Sequence, residues 1–355
     1  MFINQAKALV KEIFKTQIET GERFSIELVS GPGLGKSEIV EQSCEELSKE
    51  WGVPVGLKPF FLTTVEPPDV RGFGLPDKDE DGSRIMTYTK APWMPRKADP
   101  EHGMIFLDEF GQAGPDVVKP AAELLLKGRV GASELPITWL CVAASNREKD
   151  RSGVQKSLAF IENRKCRITI EPNLDAWVEW AEGQAINPWA IAFAKVKPAL
   201  VFKDEVPEKP GPFCTPRTLV KVSHLIGKMQ NDLLFPAITG YFGEGTAAEF
   251  IAFLRVAEEL PKYEEIVANP EKCRLPDKNR PDAQYATMQM VAHRVDAKTS
   301  TAAFKYLQRM PKEFQVSGLK ATLRRVPEMV QSKDFAQWLR ENKELVMAAN
   351  VLERK

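Results

Sequence analysis

The chain has 355 residues, and its 49 lysines and arginines are balanced by 49 aspartates and glutamates, so that the formal net charge is zero. This length allows two or three domains, and the charge balance excludes a global attraction to nucleic acid or to an anionic membrane. The five cysteines include no C-x-x-C pair, which argues against a zinc site and a disulfide framework.

The N-terminal segment predicts an amphipathic helix over Phe2 to Ile18, because Ile3, Leu9 and Ile13 recur on one helical face. Lysines interrupt these apolar residues, so the segment does not have the pattern of a secretory signal. No apolar run along the chain approaches the length that spans a membrane. We therefore expect a soluble, cytoplasmic protein.

A glycine-rich turn, S-G-P-G-L-G-K-S, lies between a strand predicted over Phe24 to Val29 and a helix predicted over Glu38 to Trp51. Its glycines let backbone N–H groups point at an anion, and the helix adds its positive N-terminal end. Lys36 can reach the β- and γ-phosphates of a nucleotide, and the Ser37 hydroxyl can ligate Mg²⁺. We predict that nucleotide binds to Gly31, Pro32, Gly33, Leu34, Gly35, Lys36 and Ser37.

Ser30 stands where the usual pattern G-x-x-x-x-G-K-[ST] has its first glycine. A serine fits this position if its backbone φ is negative. A glycine-rich turn with a chance Lys-Ser is the alternative, and the flanking strand and helix argue against it.

Residues Pro67 to Pro95 form a long insertion rich in turn residues, after a strand predicted over Lys58 to Val65. Arg84 to Thr89 alternates like a hairpin strand, and Asp81-Gly82 is the turn signal before it. An ordinary connection does not need about thirty residues, so either an idle surface insertion or a projecting loop that contacts a partner is expected. The projecting loop is favoured over the idle insertion because the segment is rich in apolar residues, which are Phe73, Met86, Tyr88, Trp93 and Met94.

Two carboxylates end the buried strand predicted over Gly103 to Phe110. Asp108 can hold the coordination shell of Mg²⁺, usually through water, and Glu109 can polarise the water that attacks a γ-phosphate. An ordinary loop that begins with D-E is the alternative, and the upstream phosphate loop argues against it.

Asn146 follows the next predicted strand, Pro136 to Ser145, where its amide could orient the attacking water or contact the γ-phosphate. A turn former or a helix cap is the ordinary interpretation of such an asparagine. Further along, a helix over Val154 to Glu162 and a strand over Cys166 to Ile170 are predicted. Arg164 and Arg167 are both candidates to reach a neighbouring subunit's nucleotide, and both could equally be solvated surface residues.

The chain becomes helical after Pro172. Thr215 and Pro216 are helix start signals, and they put Arg217 in the first turn, where its charge opposes the helix dipole and suggests an anionic partner. Prolines at 311 and 327 are expected to break the C-terminal helices. We predict an α/β core at 1–172 with the insertion at about 67–97, a helical lid at 173–268 and a helical extension at 269–355.

The segments S-G-P-G-L-G-K-S, I-F-L-D-E-F, A-A-S-N and C-T-P-R, in this order, resemble the AAA+ ATPases, and within them the MoxR-type branch. P-D-V-R-G with its following hairpin, and T-P-R at a helix start, are the most telling parts. The resemblance implies a P-loop α/β fold with a three-layer parallel-sheet core, a helical lid and a helical extension. It also implies that ATP and Mg²⁺ are the cofactors.

The resemblance assigns roles to individual residues. The Walker A motif corresponds to Gly33, Gly35, Lys36 and Ser37. The metal ligands are Ser37 and Asp108. By the same resemblance Asp108 and Glu109 are the Walker B pair, Asn146 is the first sensor and Arg217 the second. Arg164 falls where the family's E/D-R-F segment supplies an arginine to the adjacent subunit, although this chain has N-R-K there.

The resemblance further implies a six-membered ring of identical chains with nucleotide at each boundary, and an insertion that faces the pore or top surface. MoxR-type proteins commonly remodel partner proteins, often with a von Willebrand factor A domain companion. We therefore predict an ATP-hydrolysing, chaperone-like remodeller of protein complexes.

Three alternative functions compete with this prediction. A DNA-directed motor or loader is the main alternative, which the mixture of acidic and basic residues in the insertion disfavours. A GTP-dependent motor is not supported by any N-K-x-D signature, although such motors need not have one. A nucleotide-gated scaffold that hydrolyses little would not need Glu109.

Overall fold

The structure, a computed structural model, describes residues 1–150, 159–184, 186–203 and 206–349. The chain divides into two compact units. The first runs from Met1 to Pro172 and includes Val206, and the second consists of Asn173–Lys203 and the residues from Pro207 onward.

The first unit alternates strands and helices. Its strands are β1 (Ser25–Ser30), β2 (Val55–Phe61), β3 (Gly74–Lys78), β4 (Arg84–Tyr88), β5 (His102–Asp108), β6 (Arg129–Val130), β7 (Ser133–Glu134), β8 (Trp139–Asn146) and β9 (Cys166–Thr169). Its described helices are α1 (Ile3–Thr20), α2 (Lys36–Trp51), α3 (Pro67–Arg71), α4 (Pro115–Lys127) and α5 (Ala159–Glu162).

Five strands form a parallel sheet in the order β2-β5-β8-β1-β9. One face packs on α1 and α2 through residues such as Phe14, Leu28 and Leu47, and the other packs on α3 and α4 through residues such as Leu107 and Leu124. All six residues of β1 are buried, as expected for a strand covered on both faces. The predicted three-layer P-loop α/β fold with a parallel central sheet is therefore confirmed.

The carboxyl ends of the central strands β5, β8 and β1 meet at one edge of the sheet, because parallel strands all end in the same direction. Ser30 at the end of β1 lies beside Asn146 at the end of β8. Leu107, which directly precedes Asp108 in β5, lies beside Ala143 of β8. This topology brings the predicted site residues of three separate sequence segments to one edge.

The insertion consists of a packed base and an exposed antiparallel hairpin, β3–β4. Gly82 has a φ of +80° in the connecting turn, as the Asp-Gly signal predicts. Every residue of β3 and β4 except Tyr88 is exposed. At the base, Trp93 is buried and its Nε1 donates a hydrogen bond to the Val70 carbonyl (2.8 Å).

Several predicted elements have different bounds in the structure. The strand predicted over Lys58 to Val65 is β2, which ends at Phe61 and continues as a short 3₁₀ helix over Leu62–Thr64 that buries Leu62. Pro59 is tolerated within β2 because this strand is at the edge of the sheet. The described part of the helix predicted over 154–162 is α5, since residues 154–158 lie outside the described residues.

The second unit is helical throughout its described secondary structure. Its helices are α6 (Leu174–Glu182), α7 (Pro188–Val196), α8 (Pro198–Val201), α9 (Pro216–Ser223), α10 (Asn231–Phe242), α11 (Glu244–Glu258), α12 (Tyr263–Ala268), α13 (Pro281–Arg294), α14 (Ser300–Leu307), α15 (Lys312–Arg325), α16 (Lys333–Glu341) and α17 (Lys343–Ala348). Pro311 caps the start of α15 and Pro327 begins a short 3₁₀ helix, in agreement with the predicted breaks.

Two hydrophobic clusters organise these helices. The first contains Phe193 and Phe250, whose rings meet edge to face at 4.8 Å. The second contains Phe335 stacked on Trp338, together with Tyr263 of α12. No helix in the described ranges is long and apolar enough to cross a membrane.

Candidate nucleotide-binding site

The loop between β1 and α2 requires glycine at two positions. Gly33 and Gly35 have φ values of +73° and +83°, which residues with a Cβ atom rarely adopt. A Cβ atom on Gly35 would also lie 2.7 Å from the Ile3 side chain of α1. The predicted strand, loop and helix context of the phosphate-binding motif is therefore present, and the N-terminus of the 16-residue helix α2 begins directly after the loop.

Lys36 is the first residue of α2, and its buried ammonium group contacts four oxygen atoms. Nζ donates to Asn146 Oδ1 at 2.8 Å and to Ser30 Oγ at 3.2 Å, and it lies 3.3 and 3.4 Å from the Gly31 and Ser30 carbonyl oxygens. Neutral oxygens therefore solvate a buried cation at the mouth of the loop. The Asp108 carboxylate interacts electrostatically with the same ammonium group, and an incoming phosphate would add further negative charge.

Ser30 is the last residue of β1 and is completely buried. Within the described residues Glu109 is the single non-glycine position with a positive φ, so Ser30 meets the condition under which a serine fits. Its hydroxyl donates to the Gly31 carbonyl (2.9 Å) while accepting from Lys36. The serine thus adds a hydrogen bond to the lysine that a glycine at this position could not provide.

Asp108 at the end of β5 lies beside the phosphate loop. The Ser37 hydroxyl donates to Asp108 Oδ2 at 3.4 Å, and the Glu109 amide donates to Oδ1 at 2.9 Å. Burial raises the pKa of Asp108 above its ordinary value, while the Glu109 amide and the Lys36 charge lower it. A bound cation would offset this desolvation, and the hydroxyl and carboxylate oxygens of Ser37 and Asp108 are ligands that suit Mg²⁺.

Glu109 adopts a left-handed backbone conformation, with a φ of +58°. This conformation costs about 1–3 kcal/mol in a non-glycine residue and tends to occur at functional sites. It ends the strand abruptly, so that the Phe110 amide donates to the Ala144 carbonyl (2.8 Å). The Glu109 carboxylate accepts a hydrogen bond from the Thr63 hydroxyl, just beyond β2.

Three residues in contact with this site were not predicted from the sequence. Thr63 lies in an ordinary L-T-T segment, and Gln112 accepts a weak hydrogen bond from the Asn146 amide (3.4 Å). The guanidinium of Arg147 lies 3.0 Å from where a Cβ atom on Gly31 would stand, and it forms an ion pair with the buried Asp150 (2.8 Å). The position of Arg147 directly after Asn146 is the one sequence signal that could have identified it.

The two candidate arginines lie at the far side of β1 from β8. Arg164 is exposed in the turn between α5 and β9, and Arg167 of β9 is exposed and pairs with Glu162 at 3.4 Å. Among the described hydrogen bonds of Lys36, none involves either arginine. Both arginines face solvent, as a residue that acts on a neighbouring molecule must.

Arg217 belongs to the second unit and is exposed in the first turn of α9. The predicted helix start is confirmed, since Thr215 and Thr218 form a reciprocal capping box in which Thr218 N donates to Thr215 Oγ1 (3.2 Å) and Thr215 N donates to Thr218 Oγ1 (2.8 Å). The role of Arg217 as a second sensor remains a prediction.

Comparisons with known proteins give solved structures that are only distantly similar to this chain. No protein-family model matches the chain, and no curated protein matches its sequence. The Thermotoga maritima RuvB Holliday junction branch migration motor is 12% identical, with 76% of this chain and 75% of that chain covered and a TM-score of 0.35. The Aeropyrum pernix Orc1 protein in complex with DNA is 10% identical, with coverage of 89% and 84% and a TM-score of 0.37.

Proposed function

We propose that this protein is an ATPase that binds Mg²⁺–ATP at the carboxyl edge of its sheet. The observation that supports this proposal is the convergence of the phosphate loop with Lys36, Asp108, Glu109 and Asn146 at the ends of three adjacent strands. A buried lysine, a hydroxyl–carboxylate pair and a second carboxylate at one strand edge together suit phosphoryl transfer to water.

Each side chain has a proposed part in the reaction. Lys36 exchanges its neutral oxygen partners for the β- and γ-phosphates, which stabilises negative charge as the terminal bond breaks. Ser37 and Asp108 hold Mg²⁺, which supplies further neutralisation of phosphate charge when bound. Glu109 accepts a proton from the attacking water, and the Asn146 amide, released from Lys36, orients that water or contacts the γ-phosphate.

We further propose that the active form is a ring of identical chains, with six members as in the AAA+ proteins that the sequence resembles. The exposed Arg164, or in its place Arg167, contacts the γ-phosphate bound by a neighbour, and Arg217 in the helical lid contacts the nucleotide of its own chain. Hydrolysis removes these contacts, so that the lid can move and convert the chemical step into motion.

The ring remodels a partner protein in the manner of the MoxR-type branch, with a von Willebrand factor A domain protein as one companion. The hairpin supports a protein partner, since Phe73 is 59% exposed and Met86 is 62% exposed. The hairpin and its turn also contain four acidic residues against two basic ones, which are Asp77, Asp79, Glu80, Asp81, Lys78 and Arg84. This charge repels a phosphate backbone, so a DNA-directed motor is disfavoured.

Phosphate release from ATP, measured against protein concentration, tests the proposal. We expect a specific rate that rises with concentration, because composite sites form only on assembly, and a rate near zero for Glu109→Gln. Glu45→Gln, an exposed residue of α2, is the matched control and should hydrolyse ATP normally. Normal turnover by Glu109→Gln would remove Glu109 as the base, and failure of the wild-type protein to bind ATP would overturn the whole assignment.

A further inference from the structure

A buried ionic network lies beneath the proposed site, on the sheet face opposite α1 and α2. Glu27, in the middle of β1, accepts a hydrogen bond from the Ser145 hydroxyl of β8 at 2.6 Å. The same carboxylate forms an ion pair with Lys165 at 2.7 Å, and the two side chains are only 6% and 1% exposed. Lys165 also contacts Glu162 of α5 at 2.6 Å.

Burial of these charges is difficult to explain by stability alone. Removing two ions from water costs several kcal/mol per ion, and a well-packed apolar pair of similar volume is often as stable or more stable. Glu27 also occupies β1, a strand in which all six residues are buried. A glutamate in this position therefore suggests a requirement for a specific geometry.

The network joins three of the chain segments that carry residues of the proposed site. Glu27 lies on β1, which ends at Ser30 and enters the phosphate loop. Ser145 directly precedes Asn146, and Lys165 directly follows Arg164. Lys165, which follows Arg164, is fixed by its ion pair with Glu27, and Ile161, which lies before Arg164 in the chain, is buried. The exposed Arg164 therefore lies on a short segment that is held on both sides.

We infer that Glu27 and Lys165 are positioning residues, which fix the turn bearing Arg164 relative to the phosphate loop and Asn146. This inference rests on the proposed function of Arg164 as the arginine that acts on a neighbour's nucleotide. Positioning errors of about 1 Å can reduce a reaction rate by about 100-fold, so a buried tie to the turn has a direct catalytic consequence. Neither residue touches ATP in this scheme, because both act through Arg164.

A double-mutant cycle separates positioning from general stability. The proteins are wild type, Arg164→Ala, the uncharged pair Glu27→Met with Lys165→Met, and the triple variant. The uncharged pair should bind ATP normally by calorimetry, keep a similar melting temperature, and lose about tenfold or more in kcat. In the Arg164→Ala background the same pair should cause no further loss, because the group it positions is already absent.

Two further variants and a second readout support the cycle. Lys165→Arg keeps the charge and should restore most of the activity lost in Lys165→Met. Lys11→Met removes a 2.7 Å ion pair between α1 and α2 and should leave kcat unchanged. Trypsin cleavage after Arg164 in the folded protein, followed by mass spectrometry, reports exposure of the turn and should be about tenfold faster both in the uncharged pair and in Glu27→Met, which leaves the Arg164–Lys165 bond unchanged.

The outcomes distinguish the inference from the function on which it rests. An additive loss of kcat in the triple variant, or unchanged cleavage after Arg164, overturns the positioning role. Full activity of Arg164→Ala overturns the assigned role of that arginine and the inference with it. If the wild-type protein hydrolyses no ATP, the proposed function fails, and faster cleavage after Arg164 in the uncharged pair would then establish only a structural tie.

Discussion

Two regions of the first unit, the carboxyl edge of the central sheet and the β3–β4 hairpin, are built in opposite ways. At the sheet edge polar groups are held by several partners each, as when Lys36 contacts four oxygen atoms and Asp108 accepts from two donors. On the hairpin apolar side chains such as Leu75 and Met86 face solvent on both faces of a two-stranded ribbon.

The difference agrees with what each region is proposed to bind. A phosphate group has a fixed geometry, so a site on rigid buried strands gains by holding its donors in place before the ligand arrives. A protein partner offers varied surfaces, and an isolated two-stranded hairpin is only marginally stable, so it can adapt to what it meets.

Replacement of Lys36 by alanine should abolish detectable ATP binding in a calorimetric titration. The change removes the buried cation that the loop presents to the phosphates, and truncating one partner of such a charge pair costs about 2–5 kcal/mol or more. Lys49→Ala, at the exposed end of the same helix, is the matched control and should bind normally. Normal affinity in Lys36→Ala would show that the sheet edge is not the nucleotide site.

Two leucine-to-alanine substitutions compare how much each region contributes to the free energy of unfolding. Leu107→Ala in the fully buried part of β5 should lower the free energy of unfolding by about 2–5 kcal/mol, because it leaves a cavity in the core. Leu75→Ala on the hairpin should change it by less than about 0.5 kcal/mol, since this side chain is 51% exposed. Urea denaturation measures both. Equal losses would mean that the hairpin is packed in solution, against a second copy or another surface.

Two glycine-to-alanine substitutions compare the packing at the base of the hairpin with that at its tip. Both glycines have a positive φ, +90° at Gly72 and +80° at Gly82, so alanine is strained at each by about 1–2 kcal/mol. A Cβ atom on Gly72 would also lie 2.0 Å from the Thr89 carbonyl oxygen, whereas one on Gly82 meets nothing within 4 Å. Hydrogen exchange of the Thr89 amide, which donates to Phe73, should therefore accelerate strongly in Gly72→Ala and little in Gly82→Ala. Similar exchange in both variants would contradict a fixed base.

Thr63→Val should lower kcat by about tenfold, equivalent to about 1.4 kcal/mol, and should leave KM for ATP unchanged. The hydroxyl holds the Glu109 carboxylate, so its loss frees the proposed base without altering the phosphate loop. Thr64→Val is the control, because the Thr64 hydroxyl bonds only to the Phe61 carbonyl in the described contacts (2.9 Å). A change in KM alone would place Thr63 in nucleotide binding and not in the chemical step.

The local features of the first unit could be predicted because they depend on short-range rules. Glycines with positive φ, a strand before them and a helix after them identified the phosphate loop, and four apolar residues before Asp108 and Glu109 identified a buried strand. The Asp-Gly turn and the Thr-Pro helix start were confirmed for the same reason. Each of these signals lies within a few residues of the structure that it specifies.

Contacts between distant segments could not be predicted in this way. The hydrogen bond from Lys36 to Asn146 joins residues 110 positions apart, and nothing in L-T-T marks Thr63 as the partner of Glu109. The charges of Glu27 and Lys165 have the same sequence appearance as ordinary surface residues. Only the strand order of the sheet buries them together.

The alternation of strands and helices in the first unit, the helical second unit and the candidate phosphate loop could therefore be predicted from the amino-acid sequence, because backbone conformation and hydrophobic period are local properties. Tertiary structure alone decided that Ser30 supports Lys36, that Thr63 restrains Glu109 and that the turn of Arg164 is tied to Glu27. Those relations depend on which strands become neighbours, and that choice is made by burial of the whole sheet and not by any one segment.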